Sequence, residues 1–382
     1  MRTALISDLH LGSVSGEDVL HDAAIREVLF AEIAAAERLV LLGDAIELRD
    51  LPLAEALGAT RSFFEALGEA MAGREVVYVP GNHDHLLAEP LLERRALADR
   101  PALGLENRYR PAAGAAARIA RWLRPARLEL AYPGIWLRDD VYAIHGHYMD
   151  CHLTLPRIEC IAAAAVMRRT GPLPDPAQPE DYERVLGPVT RLTFGLAQSG
   201  GPRLGGAATR PSQHAWRWIA GGDSGRPTRR LAAAAVGRMA VPATVWTINR
   251  ILGSDFRADL SARAISRGGV AGGVEMVRRL RIEAPHVITG HTHRVGPRPG
   301  EGPWSLPGGG SLHNTGNWVF VSDFHGPDAR PGPYWPGTVT WVEGTEAPRQ
   351  IGLLADRSAE DLGEIARGGR FRLAALASRE LG

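Results

Sequence analysis

Five times along this chain a short apolar run ends in a cluster of carboxylate, amide or imidazole side chains. Thr3-Ala4-Leu5-Ile6 leads into Asp8-Leu9-His10, Leu39-Val40-Leu41-Leu42 into Gly43-Asp44, and Val76-Val77-Tyr78-Val79 into Gly81-Asn82-His83-Asp84. Val141-Tyr142-Ala143-Ile144 leads into His145-Gly146-His147, and Val287-Ile288-Thr289 into Gly290-His291-Thr292-His293. Continuous apolar runs of this length read as buried β-strands. The polar clusters then fall on loops just past strand ends, the edge of an open α/β sheet where ligand sites are built.

The side chains on those loops are oxygen and imidazole donors, with no thiolate among them. Such a set suits borderline divalent ions, Mn²⁺ first, with Fe²⁺ and Zn²⁺ as alternatives. Two cations about 3.5–4 Å apart can share one carboxylate and one bridging hydroxide, which attacks phosphorus in line. The pattern therefore reads as a dinuclear metal centre in a phosphoesterase.

Asp-X-His, Gly-Asp, Gly-Asn-His-Asp, a His after a strand and Gly-His-X-His, in this order over residues 8 to 293, resemble the calcineurin-like metallophosphoesterase superfamily. The resemblance implies that Asp8, His10 and His293 bind one metal, that Asn82, His145 and His291 bind the other, and that Asp44 bridges them. It also implies that His83 faces the substrate, where it protonates the leaving oxygen or steadies phosphoryl charge. Asp84 is then read as catalytic too, accepting the other N–H of His83 and fixing its tautomer, or else as a cap on the following turn. Within the superfamily, Ser7 to Gly12, Glu47, His145 to His147, Gly290 to Arg294 and Asn314-Thr315-Gly316-Asn317-Trp318 are similar to the UDP-2,3-diacylglucosamine hydrolase-like branch. That branch often carries Gly-Asn-Arg-Asp where this chain has His83. The substrate implied is a phosphorylated small molecule or a lipid-linked nucleotide pyrophosphate. A nuclease, or a phosphomonoesterase or protein phosphatase, of the same superfamily is the alternative. A non-catalytic scaffold would be expected to have lost ligands, and all seven are present.

Other polar residues carry weaker spacing arguments. His147 reads as a substrate or ligand contact, or as a backbone partner, while Glu47 and Asp150 orient ligands or pair with arginines. His85, His152, His286, His313 and His325 read as satisfied polar residues near the rim.

Composition narrows the class. A chain of 382 residues with 45% hydrophobic and 23% charged residues is a globular protein with a sizeable core. Cys151 and Cys160 cannot make a disulfide framework, the first strand starts almost at Met1, and no apolar run is long enough to span a bilayer. These features lead to the expectation of a cytoplasmic protein with no transmembrane segment. All 44 basic residues are arginine, which excludes lysine chemistry and leaves phosphate recognition outside the metals to arginine, histidine or backbone N–H groups. The near-balanced net charge of +1 argues against a nucleic-acid binder, without excluding nucleic acid.

The implied fold is α/β: a metallophosphoesterase-type four-layer sandwich of two mixed β-sheets flanked by helices. Residues 1–150 and 285–382 would form its core. Residues 151–284, with 19 Arg against 10 carboxylates, would form an inserted, mainly helical cap over the metal edge. Helical runs are read at Ile161 to Arg169 and Leu231 to Ala240, with breaks at Gly171 to Pro179 and Ser199 to Gly206. Within the cap, Trp216, Trp218, Trp246 and Phe256 interleave with Arg217, Arg229, Arg230, Arg238 and Arg250. That mixture suits peripheral contact with anionic lipid, or else packing of the cap's own small core. Further strands are read at Trp318 to Val321 and Thr338 to Val342, and terminal helices at Asp361 to Arg367 and Phe371 to Ser378, broken at Gly368-Gly369.

Overall fold

The computed structural model describes residues 1–15, 17–98, 103–200, 241–321, 325 and 329–379. Strands β1 (Thr3–Ile6), β2 (Arg38–Leu42) and β3 (Glu75–Val79) run parallel, and β3 continues parallel into β5 (Arg127–Arg138). Helices α1 (Ala23–Ile33) and α2 (Leu53–Ala70) make the crossovers between the first three. Asp22 caps α1 by accepting the Ile25 N–H at 3.0 Å. The buried face of α2 repeats at helical spacing through Ala56, Thr60, Phe63, Phe64 and Leu67.

β5 decides the shape of the sheet. Its first residues pair with β3 and with the antiparallel β4 (Glu106–Tyr109), while Gly134 to Arg138 pair antiparallel with β6 (Val141–Ile144). From β6 the sheet continues in parallel through β7 (His286–Thr289) and β9 (Ser311–Asn314), with β8 (Trp304–Ser305) at the edge. On the other side β1 pairs with β10 (Thr338–Val342), and β10 with β11 (Arg349–Gly352). The described strands form one curled, mixed, eleven-stranded sheet whose two mixed halves are continuous through β5. A strand twelve residues long is long enough to serve both halves, Arg127 to Leu130 pairing with β3 and Gly134 to Arg138 with β6, and the β6 ladder shifts register between Trp136 and Arg138.

Side chains alternate between the two faces, and both faces are buried. Ala4, Ile6, Leu39 and Leu41 pack with α1, α2 and α4 (Gly114–Trp122) in one cluster. Leu5, Val40, Leu42 and Val77 share a second cluster with Ile135, Ala143 and Ile288 of the other half. In a third, Tyr142, Ile144, Val287 and Leu312 pack against the inserted helices α5 (Ile158–Thr170), α6 (Pro179–Gly200), α7 (Val241–Leu252) and α8 (Ala262–Arg279). The described part of the insertion thus packs directly on the sheet and shares its core.

Two sequence expectations differ from the structure. Trp318 to Val321 makes only an isolated bridge, Asp18 with Val319, since the Trp318 N–H is taken by the Asp8 carbonyl at 3.0 Å. Its apolar character reflects burial of Trp318 and Phe320 in a loop. The terminal helix α9 (Ala359–Arg379) runs unbroken through Gly368-Gly369, because α-helix tolerates glycine at a cost of only about 1 kcal/mol each. The run Leu231 to Ala240, and Trp216, Trp218, Arg217, Arg229, Arg230 and Arg238, lie outside the described residues. Among the described residues no helix is long and apolar enough to cross a membrane.

Phe64 is fully buried between the sheet and α2, so Phe64→Ala is expected to cost about 3–5 kcal/mol. Urea unfolding measures this, and a loss below about 1 kcal/mol would show that this packing does not carry the half of the sheet built on β1 to β3.

Candidate metal centre

Parallel strands place their C-terminal ends along one edge, and the polar clusters leave the sheet there from β1, β2, β3, β6 and β7. The loops are cross-tied: Asp8 N–H donates to Gly43 O at 3.0 Å, His10 N–H to Asp44 O at 2.9 Å, and Gly290 N–H to His145 O at 2.9 Å. Close approach explains two glycines. A Cβ on Gly43, whose φ is +80°, would collide with the His145 ring, and one on Gly81 would collide with the Asp44 carboxylate.

The backbone is unusual at these loops. Six described non-glycine residues have positive φ, and five of them are Asp8, His10, Asp44, His291 and His293. Such conformations are costly for L-residues and persist only where the surroundings impose them, as they do at functional sites.

The side chains converge in three overlapping groups: Asp8, His10 and His293; His10, Asp44 and His83; Asp44, His145 and His291. His10 Nε2 lies 3.2 Å from His293 Nε2, and His293 Nε2 lies 3.3 Å from Asp8 Oδ1. Asp44 Oδ2 is 3.2 Å from His145 Nε2 and 3.9 Å from both His10 Nε2 and His83 Nε2, a shared position between the groups. All seven ligands read from the sequence are thus brought together, Asn82 included.

The Asn82 amide tests whether this donor set fits a cation. Its oxygen points into the His145, His291 and Asp44 cluster, while its NH₂ faces Arg49. Hydrogen bonding alone favours the reverse, with the nitrogen 3.1 Å from His291 Nδ1 and 3.2 Å from Asp44 Oδ2, and the oxygen accepting from Arg49 Nη1 at 3.2 Å. Either way the amide brings an oxygen donor to a carboxylate and imidazole set, with Asn82 Oδ1 3.3 Å from His145 Nε2. The residues fit divalent metal ions, and they offer ligand atoms for two.

Partners outside this cluster fix the rings. His145 Nδ1–H donates to Leu42 O at 2.9 Å, and Asp150 Oδ1 sits 3.0 Å from His291 Nε2. Glu47 Oε2 lies 3.2 Å from His10 Nδ1 and also contacts His83 Nδ1. Asn317 Nδ2 donates to the His293 carbonyl at 2.7 Å, and Asn314 Nδ2 to the Gly290 carbonyl at 2.5 Å.

Asp84 departs from its sequence reading. Its carboxylate accepts from Tyr78 OH at 2.6 Å, Gly81 N–H at 2.6 Å and Ala45 N–H at 2.8 Å, and those bonds use both of its oxygens. It therefore clamps the loops after β2 and β3, and Glu47 takes the partnership with His83 expected of Asp84. Burial and the Asp44 charge push the Asp84 carboxyl up to about 6. The Gly-Asp-X-X-Glu spacing was the available signal for Glu47.

Arg49 and Glu183 were missed, the first because one arginine among 44 carries no mark. Arg49 is buried beside Asn82 and His83, pairs with Glu159 of α5 at 3.4 Å, and leaves its Nε without a partner among the described residues. These residues open on a cavity of about 550 Å³ between α3 (Glu89–Leu97) and α6, walled further by Leu86, Arg191 and Phe194.

The remaining histidines divide. His147 is buried among His145, His85 and Tyr148, with neither ring nitrogen partnered among the described residues, and burial holds it neutral. His85 pairs with Glu183, His152 with Tyr182, and His286 with His313, while His325 stacks on Phe320.

A scan against protein-family models finds no match to this chain, and a search of curated proteins finds none.

Burial opposes charge on His10 and His145, but their carboxylate neighbours win. The Glu47 hydrogen bond and Asp44 raise His10 to about 9, and Asp44 raises His145 to about 10. Both are protonated at pH 7 without metal, and an imidazole must be neutral to ligate. Binding of divalent ions is therefore expected to release about two protons and to strengthen as pH rises toward 9. Mn²⁺ calorimetry in buffers of different ionisation enthalpy counts them, and zero release would refute ligation by these rings.

Proposed function

We propose that this chain is a phosphoester hydrolase working with two divalent metal ions, a calcineurin-like metallophosphoesterase. The observation that carries the reading is the concentration of left-handed backbone at Asp8, His10, Asp44, His291 and His293, side chains that converge in one buried centre. Asp8, His10 and His293 would hold one ion, Asn82, His145 and His291 the other, and Asp44 both. When bound, such ions lower the pKa of water and neutralise phosphoryl charge, with Mn²⁺ the first candidate and Fe²⁺ or Zn²⁺ next.

The chain's own groups supply the rest. Arg49, which borders the cavity beside Asn82 and His83, would bind a non-bridging phosphoryl oxygen. Glu47 stays ionised, because His83 and His10 outweigh the effect of burial, so it receives the Nδ1–H of His83. That fixes the tautomer and leaves Nε2 of His83, on the Asp44 side, to take a proton from solvent as the substrate's negative charge arrives and give it to the leaving oxygen. Burial first, then Arg49, lowers the pKa of His83 and keeps it neutral until substrate charge arrives.

The cavity between α3 and α6 favours a phosphorylated small molecule over a protein surface, and a lipid-linked nucleotide pyrophosphate is the candidate suggested by the sequence resemblance. Peripheral membrane contact belongs to the same reading, supported by Trp246 and Ile251, which are 65% and 60% exposed on α7; Phe256 packs in the core instead. For the fold, the cluster uniting Leu5, Val40 and Val77 with Ala143 and Ile288 supports two half-sheets face to face, a four-layer sandwich closed through β5.

Metal-loaded protein assayed on a monoester, a diester, a nucleotide diphosphate-lipid and single-stranded DNA tests the reading. Activity is expected on at least one and should vanish on chelation. Asp44→Asn should weaken both metal sites at once. His83→Ala should keep its metal while turnover drops by about 10²–10⁴-fold, with a smaller deficit on good leaving groups. Two equivalents retained with full activity in Asp44→Asn would sink the shared-ligand assignment, and loss of metal in His83→Ala would make His83 a ligand.

A further inference from the structure

The two halves of the metal centre share ties along the sheet edge and differ in what else they lean on. Asp8, His10 and His293 are fixed from within the sheet edge by Gly43, Asp44, Glu47 and Asn317. Asn82, His145 and His291 are tied to the sheet edge too, through Asp84, Leu42 and Asp8, and they also lie beside segments that lean on the insertion. The short helical turn His85–Leu87 follows Asn82, and the turn His147–Cys151 follows His145 and carries Asp150, the partner of His291.

Both turns end on one side chain of α6. Glu183 Oε2 lies 2.9 Å from His85 Nε2, while Oε1 accepts from Tyr148 OH at 2.6 Å and from Tyr132 OH of β5. The preceding residue grips the same turn: Tyr182 stacks on Tyr148 with centroids 4.6 Å apart and planes 4° apart, and its hydroxyl lies 2.7 Å from His152 Nε2. Glu183 is itself largely buried, so its carboxylate stays where these donors meet. Burial alone would raise its pKa, yet His85 holds it at about 2, so the anchor remains charged at neutral pH.

We propose that α6 is a positioning element for the Asn82–His145–His291 half of the metal centre, with Glu183 as its anchoring residue. This inference rests on the two-metal reading above. It makes the insertion part of the metal site as well as a wall of the substrate cavity. Groups that orient ligands from outside typically govern metal affinity by about 10–100-fold. A loss of that size confined to one of the two ions separates positioning from a general loss of stability.

The test is Mn²⁺ calorimetry on the full-length protein, wild type against Glu183→Gln, with thermal melting of each. Arg278→Ala serves as the control; it breaks exposed pairs of α8 with Asp175 and Glu275 and removes no hydrogen bond of Glu183. Glu183→Gln is expected to bind one equivalent within about twofold of wild type and the other about 10–100-fold more weakly, with Arg278→Ala unchanged at both. Should Glu183→Gln fail to fold, Tyr148→Phe removes a single bond to the anchor and should weaken the same equivalent by about 3–10-fold, one hydrogen bond's worth. Two wild-type equivalents left unchanged in the folded variants, or both weakened together, overturn the positioning role and leave the two-metal reading standing. A wild type that binds no divalent ion overturns that reading and this inference with it.

Discussion

Two buried carboxylates, Asp8 and Asp44, sit at the ends of neighbouring parallel strands, and the surroundings are arranged to keep them charged. Ionised groups removed from water cost several kcal/mol each unless compensated. Here the compensation comes from backbone and imidazole. His291 N–H donates to Asp8 Oδ2 at 3.0 Å, His83 N–H donates to Asp44 Oδ1 at 2.8 Å, and His293 and His145 face the other oxygens. Burial pushes both acids up, but their histidine neighbours prevail, and both are held below the usual carboxylate range. Negative charge fixed in this way, beside imidazoles that can give up protons, is the electrostatic requirement for a divalent cation.

Left-handed backbone at five of these positions adds strain of about 1–3 kcal/mol per residue, which loops alone would relax. Two devices oppose relaxation. Asp84 ties the loops after β2 and β3 into one piece through Tyr78, Gly81 and Ala45. Asn314 to Trp318 does the same for the loops after β1 and β7: Asn314 and Asn317 hold the carbonyls of Gly290 and His293, Thr315 meets Ser7, and Trp318 bonds back to Asp8. The site is thus rigid because it is tied sideways, from loop to loop, beyond the support of the strands beneath.

The sequence made legible what is local. A buried parallel strand is a continuous apolar run, and its loop follows directly, so the five strands under the site and the residues just past their ends could be read before any contact was known. Asn314-Thr315-Gly316-Asn317-Trp318 was noticed as a motif, although its work as a clamp depends on contacts some 300 residues away in sequence. Less legible was anything fixed by direction of approach. Asp84 follows His83 in the chain, yet its carboxylate faces Tyr78 and Ala45, while Glu47 reaches His83 from another loop. The run at Trp318 also misled, because apolar sequence reports burial, and burial does not require a ladder. The continuity of the sheet was hidden for a related reason: the span of β5 is set by which neighbours pair with it, and its own residues do not announce two sets of partners.

The insertion alters how the molecule can be partitioned. Read as a cap, residues 151–284 would be a module laid over a self-sufficient centre. In the structure α5, α6 and α8 bury Cys160, Tyr182 and Met276 in the same cluster as Tyr142, Ile144 and Val287, so the outer face of β6 and β7 has its core completed by inserted helices. Removing them would expose that face at the strands that present His145 and His291, and would unpair Arg49 and His85 from Glu159 and Glu183. A buried charge stripped of its partner is more destabilising than the pair is stabilising, typically by about 3–5 kcal/mol. One helix therefore serves two neighbourhoods along its length. Phe194 and Arg191 line the cavity, while Glu183, two to three turns earlier on the same helix, meets His85 and Tyr148 of the turns after β3 and β6.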